Sequence, residues 1–255
     1  MIKEMHRVLL AKGRGQTKDP GEFRTSQNWI GGSRPGNAVY VPPPKEEVVP
    51  LMGQIETFYH QHKILPTLVK AALIHVQFET IHPFLDGNGR LGRLLITLML
   101  VADAVLAEPL LYLSLYFKQH RATYYDLLQK VRFEGNWEEW LNFFFTAVLE
   151  TAQQAVTTSH DVLRLFQRDR ARIEKLGRVR GSTILVHGLL QKKPYLTIST
   201  ASKDLRLSQP AVTNAMRALQ KLEIVRESSG RNWNKIFAYS KYLRIMTEGA
   251  ELSAE

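Results

Sequence analysis

Residues Ile81 to Arg93 read Ile-His-Pro-Phe-Leu-Asp-Gly-Asn-Gly-Arg-Leu-Gly-Arg, and the apolar run Leu94 to Leu106 follows directly. The run has the length and composition of a helix. Glycines on both sides of Asn88 allow successive backbone N–H groups to turn toward one point. The following helix adds its unpaired first-turn N–H groups and the positive end of its dipole. This stretch therefore predicts a loop and helix N-terminus that bind an anion, and phosphate fits best.

Four charged or titratable side chains of the stretch suit phosphate chemistry. Arg90 and Arg93 are three residues apart, so on a helix they leave from neighbouring positions and can grip one polyphosphate together. The carboxylate of Asp86 would repel a bound phosphate unless a cation such as Mg²⁺ lies between them. His82 remains as the neutral base, and an unperturbed pKa of about 6.5 suits proton abstraction near neutral pH.

Each of these features alone has an ordinary structural reading as a turn, a structural histidine or a solvated helix face. Together they match, without a gap, the signature His-Pro-Phe-x-Asp/Glu-Gly-Asn-Gly-Arg-x-x-Arg of the Fic family. Residues 1 to 147 resemble a Fic domain. The resemblance implies a mainly α fold, with the helical core of the Fic (Fido) fold and a short β-hairpin flap.

Fic proteins mostly transfer AMP from ATP to a Tyr, Thr or Ser hydroxyl of a target protein, so the resemblance implies a protein adenylyltransferase with ATP and Mg²⁺ as cofactors. By this resemblance, His82 deprotonates the target hydroxyl and Asp86 holds Mg²⁺ between the α- and β-phosphates. Arg90 is expected to bind phosphate and Arg93 the γ-phosphate, while Phe84 anchors the loop. The anion hole is expected to be Gly87, Asn88 and Gly89.

The short β-prone run Asn37 to Val41 is closed by three prolines, which predicts an exposed strand or hairpin arm. Its position resembles that of the Fic flap, which docks the target segment by main-chain pairing. Val39, Tyr40 and Val41 are therefore candidate target-docking residues. A plain surface loop is the alternative.

Other segments carry helical apolar spacing, and Pro83 stops one of them just past His82, which places this histidine at a helix-to-loop junction. The predicted helical segments before the connector are Met1 to Lys12, Lys45 to His60, Leu65 to Thr80, Leu110 to Arg132 and Trp137 to Leu149.

The amino-acid composition excludes several classes of functional site. The 255 residues include no cysteine, which excludes disulfides, thiolate metal sites and a cysteine nucleophile. Met1 to Leu10 is too charged for a secretory signal, and Leu94 to Leu106 is too short to span a bilayer. We expect a soluble, cytoplasmic protein without a membrane partner.

Charged residues are distributed unevenly between the two parts of the chain. Residues 1–150 carry 16 Lys+Arg against 15 Asp+Glu, whereas residues 151–255 carry 18 against 9. A near-neutral first part and a basic second part indicate two modules, the second with an acidic partner such as DNA. We predict a catalytic domain at 1–147, a helical connector at 148–181 and a winged helix-turn-helix domain at 182–245.

The last domain is inferred from its order of elements. Helices are predicted at Thr183 to Gln191, Thr200 to Leu205 and Ser208 to Leu222, then strands at Ile224 to Glu227 and Lys235 to Tyr239. On the third helix the candidate DNA-facing residues are Gln209, Thr213, Asn214 and Arg217. Winged helices also serve as dimerisation or docking modules, so a homodimer is the alternative.

Many Fic proteins carry an inhibitory helix, Ser/Thr-x-x-x-Glu-Gly/Asn, and no such segment occurs in the sequence. We expect a shortened, de-repressed form, unless an inhibitory partner or an N-terminal inhibitory helix upstream supplies the glutamate. Within the same fold, transfer of UMP or phosphate and removal of AMP remain alternatives. A DNA-binding transcriptional regulator whose Fic part senses nucleotide is the alternative from another class.

Overall fold

The centre of the N-terminal part is α3 (Thr67–Ile81), a helix that is apolar on nearly all sides. Most of its residues are buried, as expected for a helix surrounded by others rather than lying at a surface. The structure, a computed structural model, describes residues 1–62, 64–109, 111–231 and 233–247. The chain divides into two compact units, Met1–Ala152 and Gln153–Glu255.

The helices of the first unit confirm the predicted mainly α fold. They pack around a core that includes the fully buried side chains of Phe78, Phe84, Trp140 and Phe144. Short 3-10 turns cover Pro35–Asn37 and Lys45–Glu47. The α-helices are α1 (Ile2–Leu10), α2 (Val48–Gln61), α3, α4 (Asn88–Ala102), α5 (Leu113–Gln119), α6 (Arg121–Glu134) and the first part of α7 (Trp137–Glu174).

Helix α7 is one continuous helix of 38 residues. It joins the predicted helix at Trp137 to Leu149 to most of the segment predicted as a separate connector, 148–181. No proline or glycine interrupts the sequence between Trp137 and Glu174, so nothing in the backbone chemistry breaks the helix there.

The predicted hairpin flap is reduced to a single antiparallel bridge between Ile30 and Tyr40. Ile30 N donates to Tyr40 O at 2.9 Å, and Val39 N donates to Ile30 O at 2.9 Å. The three prolines that follow Val41 have no N–H to donate, which prevents the ladder from continuing.

The second unit combines helices with three short strands in the described residues. The elements are α8 (Arg180–Lys192), β1 (Tyr195–Leu196), α9 (Ile198–Leu205), α10 (Gln209–Lys221), β2 (Arg226–Glu227), β3 (Phe237–Ala238) and α11 (Ser240–Thr247). The strands form an antiparallel sheet in the order β1-β3-β2. Ser208 caps α10, its side chain accepting from Ala211 N, as the sequence predicted.

The two hairpin strands are shorter than predicted because their apolar ends serve other contacts. Ile224 N donates to Leu219 O at 2.9 Å, which ties the start of the predicted strand to the C-terminus of α10. Across the hairpin, Ser228 N donates to Ile236 O at 2.9 Å. Within the ranges that the structure describes, we find no helix long and apolar enough to cross a membrane.

Candidate active site

His82 lies where α3 ends and the signature loop begins. It adopts a left-handed backbone conformation, with φ of 48°, while its N–H still donates to Phe78 O at 2.9 Å. A residue with a side chain rarely adopts this conformation without support, and such strained residues concentrate at functional sites. The strain turns the chain sharply out of α3 and into the loop.

Two side chains from the irregular N-terminal segment hold this strained turn. Arg24 is buried, and its Nε donates to His82 O at 3.1 Å while another of its nitrogens donates to Ile81 O at 3.4 Å and to Pro43 O. Asn28 Nδ2 donates to Phe84 O at 3.1 Å. Sequence reasoning did not assign these residues a role, because neither is near the loop in the chain.

The His82 imidazole is mostly enclosed but remains open on one side. Its side chain is 20% exposed, whereas its Nδ1 atom is buried without a hydrogen-bond partner. Burial lowers the pKa of His82 to about 4, and the backbone of Glu79 acts in the opposite direction. The ring is therefore neutral at neutral pH and able to accept a proton, although it is a weaker base than the sequence alone suggested.

The loop keeps its shape through Asn88 and Phe84. Asn88 is buried, and its amide bonds to both backbone groups of Phe84. Phe84 is completely buried, with its ring stacked on His6 at a centroid distance of 3.8 Å. Both ends of the Asn88 amide are thus engaged inside the loop.

Gly87 and the N-terminus of α4 form the turn for which the sequence predicts anion binding. Gly87 is the N-cap of α4 and adopts a φ of 84°, which favours glycine. A Cβ at this position would meet side chains of His6 and Leu10. At Gly89 a Cβ would lie 3.2 Å from an Arg93 nitrogen. A side chain at either position would therefore crowd the start of α4, where the first-turn N–H groups have no partner within the helix.

Asp86 faces two arginines across the turn. One of its oxygens accepts from Gly87 N at 2.7 Å, while the other lies 3.6 Å from Arg14 Nε and 3.9 Å from an Arg90 nitrogen. These long contacts leave the second oxygen available to a cation. Arg14 was not anticipated, because its segment has no recognisable motif.

The two signature arginines contact different parts of the unit. Arg90 donates to Arg14 O at 3.3 Å, whereas Arg93 Nε donates to Ser114 Oγ on α5 at 3.3 Å. The sequence predicted that both would grip one polyphosphate. In the structure each guanidinium is held by a separate neighbour, and both lie beside the glycine turn, Arg90 near Gly87 and Arg93 near Gly89.

Comparison with known proteins agrees with this geometry. Residues 1–100 match the family model described as the Fic/DOC family. Residues 1–100 are thus similar to a Fic/DOC domain. A protein named Protein adenylyltransferase Fic from Aedes aegypti is 35% identical over 144 residues, covering 56% of this chain and 26% of the relative. A protein of the same name from Culex quinquefasciatus is 31% identical over 194 residues, covering 72% and 36%.

The chain thus spans about a quarter to a third of the length of these curated relatives. Among solved structures, a Fic family protein from Desulfovibrio desulfuricans G20 is similar with a TM-score of 0.55 and 23% identity. That similarity covers 93% of this chain and 67% of the other. It supports the fold.

In the first unit, the predicted target-docking residues lie at one edge of the bridge to Ile30. Val39 and Val41 are exposed, whereas Tyr40 is half-buried and its hydroxyl donates to Thr80 O at 3.2 Å. Gln129 on α6 donates to Val39 O at 2.9 Å. Helices α3 and α6 therefore hold this segment, with two apolar side chains directed to solvent.

In the second unit, the candidate DNA-facing residues lie along α10. Gln209, Asn214 and Arg217 are exposed, and Thr213 is half-buried. The Thr213 hydroxyl donates to Gln209 O at 2.8 Å, so it is already engaged by the helix backbone. In the connection between β2 and β3, Arg231 and Lys235 are exposed, as is Trp233 at 88%.

Proposed function

We propose that this protein transfers AMP from ATP to a Tyr, Thr or Ser hydroxyl of a target protein. The observation that carries the proposal is the loop after α3, where a neutral His82 stands beside a glycine turn, a helix N-terminus and two arginines. Similarity to proteins named Protein adenylyltransferase Fic supports it.

The proposed reaction needs a base, an anion site and a leaving group. The target hydroxyl oxygen attacks the α-phosphorus of ATP, an O–P bond forms, and the bond to pyrophosphate breaks. The hydroxyl proton moves to Nε2 of His82, which requires that Nδ1 already carries the other ring proton. The negative charge on the departing pyrophosphate is stabilised by Arg90, Arg93 and the first-turn N–H groups of α4.

Asp86 is the residue that would hold Mg²⁺. Its second carboxylate oxygen makes only long contacts with arginines, and a single carboxylate together with substrate phosphates is a usual Mg²⁺ site. In the described part of the chain, no three His, Cys, Asp or Glu side chains are grouped to hold a metal ion. When bound, the cation would neutralise charge on the phosphates.

ATP labelled in either the α- or the γ-phosphate tests the proposal and separates it from the other Fic chemistries. We expect α-label on the protein or on a lysate target, no γ-label, and loss of labelling in His82→Ala. His60→Ala, an exposed histidine at the end of α2, is the matched control and should label normally. Retained γ-label would indicate phosphate transfer, while UTP as sole donor and a pre-AMPylated target test the remaining alternatives. Wild-type protein that binds ATP but takes up no label would overturn the proposal.

A second candidate function is DNA binding by the second unit, as a winged helix-turn-helix. Helices α9 and α10 followed by the β2–β3 connection match that order of elements, and the excess positive charge of the chain lies in this part. Arg217 on the exposed face of α10 is the strongest candidate for base or phosphate contact. The Fic/DOC domain would then sense nucleotide.

Fluorescence anisotropy with duplex DNA at several salt concentrations tests this second function. We expect salt-sensitive binding that Arg217→Ala weakens and Arg244→Ala, an exposed arginine on α11, leaves unchanged. A change of DNA affinity on adding ATP would support nucleotide sensing. Absence of binding, with a concentration-dependent dimer instead, would assign this unit to dimerisation.

A further inference from the structure

Glu79 lies one helical turn before His82 on α3, and the signature does not include it. Its side chain is 8% exposed, and its Oε1 atom is buried without a hydrogen-bond partner. Its Oε2 atom lies 3.8 Å from His82 Nδ1, a buried atom without a well-formed hydrogen bond, and the backbone of Glu79 also interacts with this imidazole. Two buried polar groups thus face each other at the base of the proposed active site. A buried carboxyl that satisfies no structural bond is costly and calls for a functional reason.

Gly92 on α4 leaves the space that this carboxyl occupies. A Cβ at Gly92 would lie 2.7 Å from Glu79 Oε1, closer than real contacts allow, and at Gly89 it would lie 3.8 Å from the same oxygen. The carboxyl is therefore enclosed between the end of α3 and the first turns of α4. This is the region that presents the imidazole and the anion-binding turn.

The charged and titratable groups around Glu79 come from three helices. Burial raises the pKa of Glu79 to about 7, and the positive charges of Arg93 on α4 and Arg132 on α6 oppose the increase. Tyr124 on α6 is buried with its hydroxyl 2.9 Å from His75 Nε2, and burial lowers the pKa of His75 to about 3. Near neutral pH His75 is thus uncharged, and Glu79 changes its charge.

We propose that Glu79 is a positioning residue for His82. Its buried carboxylate holds the imidazole in the tautomer with the proton on Nδ1, which leaves Nε2 free to accept the target hydroxyl proton. When that proton arrives, the ring becomes positively charged. The carboxylate 3.8 Å from Nδ1 stabilises this positive charge. The inference rests on the proposed AMP transfer for its catalytic meaning, whereas the tautomer can be observed without catalysis.

Glu79→Gln tests the inference, because the amide keeps the size of the side chain and removes its charge. In nitrogen-labelled protein above pH about 7, where Glu79 is ionised, we expect His82 to show the Nδ1–H tautomer. In the variant we expect a mixture of tautomers. Glu56→Gln on α2, an exposed glutamate, removes the same charge elsewhere and should leave the His82 signals unchanged.

Kinetics provide the second measurement. We expect the transfer rate of Glu79→Gln to fall roughly 10- to 100-fold, equivalent to one to two pKa units of lost charge stabilisation, with the KM for ATP unchanged. The wild-type rate should rise with pH through about 7 as Glu79 ionises, and this step should be absent in the variant.

Gly92→Ala is a second variant that keeps Glu79 but displaces its carboxyl, and it should lower the rate in the same direction. An unchanged His82 tautomer in both variants, or a pH step near 7 that persists in Glu79→Gln, would overturn the inference. If the wild type shows no AMP transfer, the proposed function fails, and the tautomer measurement still decides the role of Glu79.

Discussion

The Asn88 side chain closes the signature loop on Phe84: Oδ1 accepts from Phe84 N at 2.9 Å, and Nδ2 donates to Phe84 O at 2.7 Å. Three residues lie between the two, and the Asn88 side chain pairs with the loop backbone as a neighbouring strand would. Asn88→Ala should leave the buried N–H of Phe84 unpaired, while Phe84 O keeps its bond from Asn28, with a loss of roughly 1–3 kcal/mol in the free energy of unfolding.

Urea unfolding measures this loss, and Asn142→Ala, an exposed position on α7, should change stability by less than about 0.5 kcal/mol. If both alanine variants unfold at the same urea concentration, the Asn88 bridge does not stabilise the loop.

Arg24 supports the strained backbone of His82 by donating to the carbonyl oxygens of His82, Ile81 and Pro43. Arg24→Lys keeps the charge, but a single ammonium cannot reproduce the planar set of donors. We expect a loss of about 1–3 kcal/mol in stability and a lower transfer rate at saturating ATP. Thermal unfolding measures the stability, and labelling reactions quenched at successive times measure the transfer rate. Arg34→Lys at an exposed turn should behave as wild type, and an active, fully stable Arg24→Lys would contradict this role.

Gln129 fixes the candidate docking segment from α6. Its amide donates to Val39 O, and its Oε1 accepts from Arg132 at 2.6 Å. Gln129→Ala should free the segment and raise the KM for the protein target by roughly 5-fold, equivalent to one hydrogen bond of about 1 kcal/mol, with the KM for ATP unchanged. Gln61→Ala, exposed at the end of α2, is the control. Equal changes in both KM values would mean that Gln129 acts on the nucleotide site instead.

Asp103 ties the C-terminus of α4 to α2 and α3 by accepting from Tyr59, Thr67 and Lys70 at 2.6, 2.7 and 3.1 Å. The bonds from Tyr59 and Thr67, followed by that from Lys70, lower the pKa of Asp103 from 3.8 to about 2. Because the folded pKa lies below the unfolded one, this stabilisation is complete above pH 3.8 and is lost as the pH falls through about 2.

The expected contribution of Asp103 is about 1–2 kcal/mol, since the carboxyl is partly exposed. Asp103→Asn should therefore lower stability at neutral pH, and its difference from wild type should shrink as the pH falls toward 2. Denaturant unfolding across that pH range measures the difference. A difference that stays constant with pH would show that shape, not charge, is what the position requires.

In the second unit, Asp169 is completely buried and accepts from Tyr239 Oη at 2.8 Å, with Arg168 and Arg172 nitrogens at 3.3 Å. Asp169→Ala would leave the Tyr239 hydroxyl with only His187 Nε2 at 3.3 Å and would remove the carboxylate beside Arg168 and Arg172, and it should cost roughly 3 kcal/mol. Tyr239→Phe removes only the hydroxyl and should cost about 1 kcal/mol. Hydrogen exchange of amides in residues 180–239 measures both, and equal protection in the two variants would contradict the assignment.

The parts of the site that are local in sequence could be predicted from sequence. The end of α3 at Pro83, the glycine turn and the start of α4 follow from neighbouring residues. The roles of His6, Arg24 and Glu79 could not be predicted, because each depends on packing that brings it to the loop. The low pKa of His82 was missed for the same reason, since burial is a property of the folded unit.

In the second unit the start of α10 was predictable from Ser208, whereas α8 and α9 begin three and two residues before their predicted starts and the strand lengths were not predictable. Ile224 and Val225 have the composition of a strand, yet their N–H groups bond to Leu219 O at the end of α10. Competition between a helix end and a sheet for the same backbone groups depends on the tertiary arrangement, which a residue pattern does not contain.

His6 joins α1 to the signature loop across 80 residues of chain: Gly21 N donates to its Nδ1, and its Nε2 donates to Asp86 O at 2.9 Å. Ribosomes build proteins from the N-terminus, so this histidine is already synthesised when the loop emerges. The loop can then acquire its shape as soon as α3 and α4 have formed. Removing α1 would thus affect the timing of maturation as well as the finished fold.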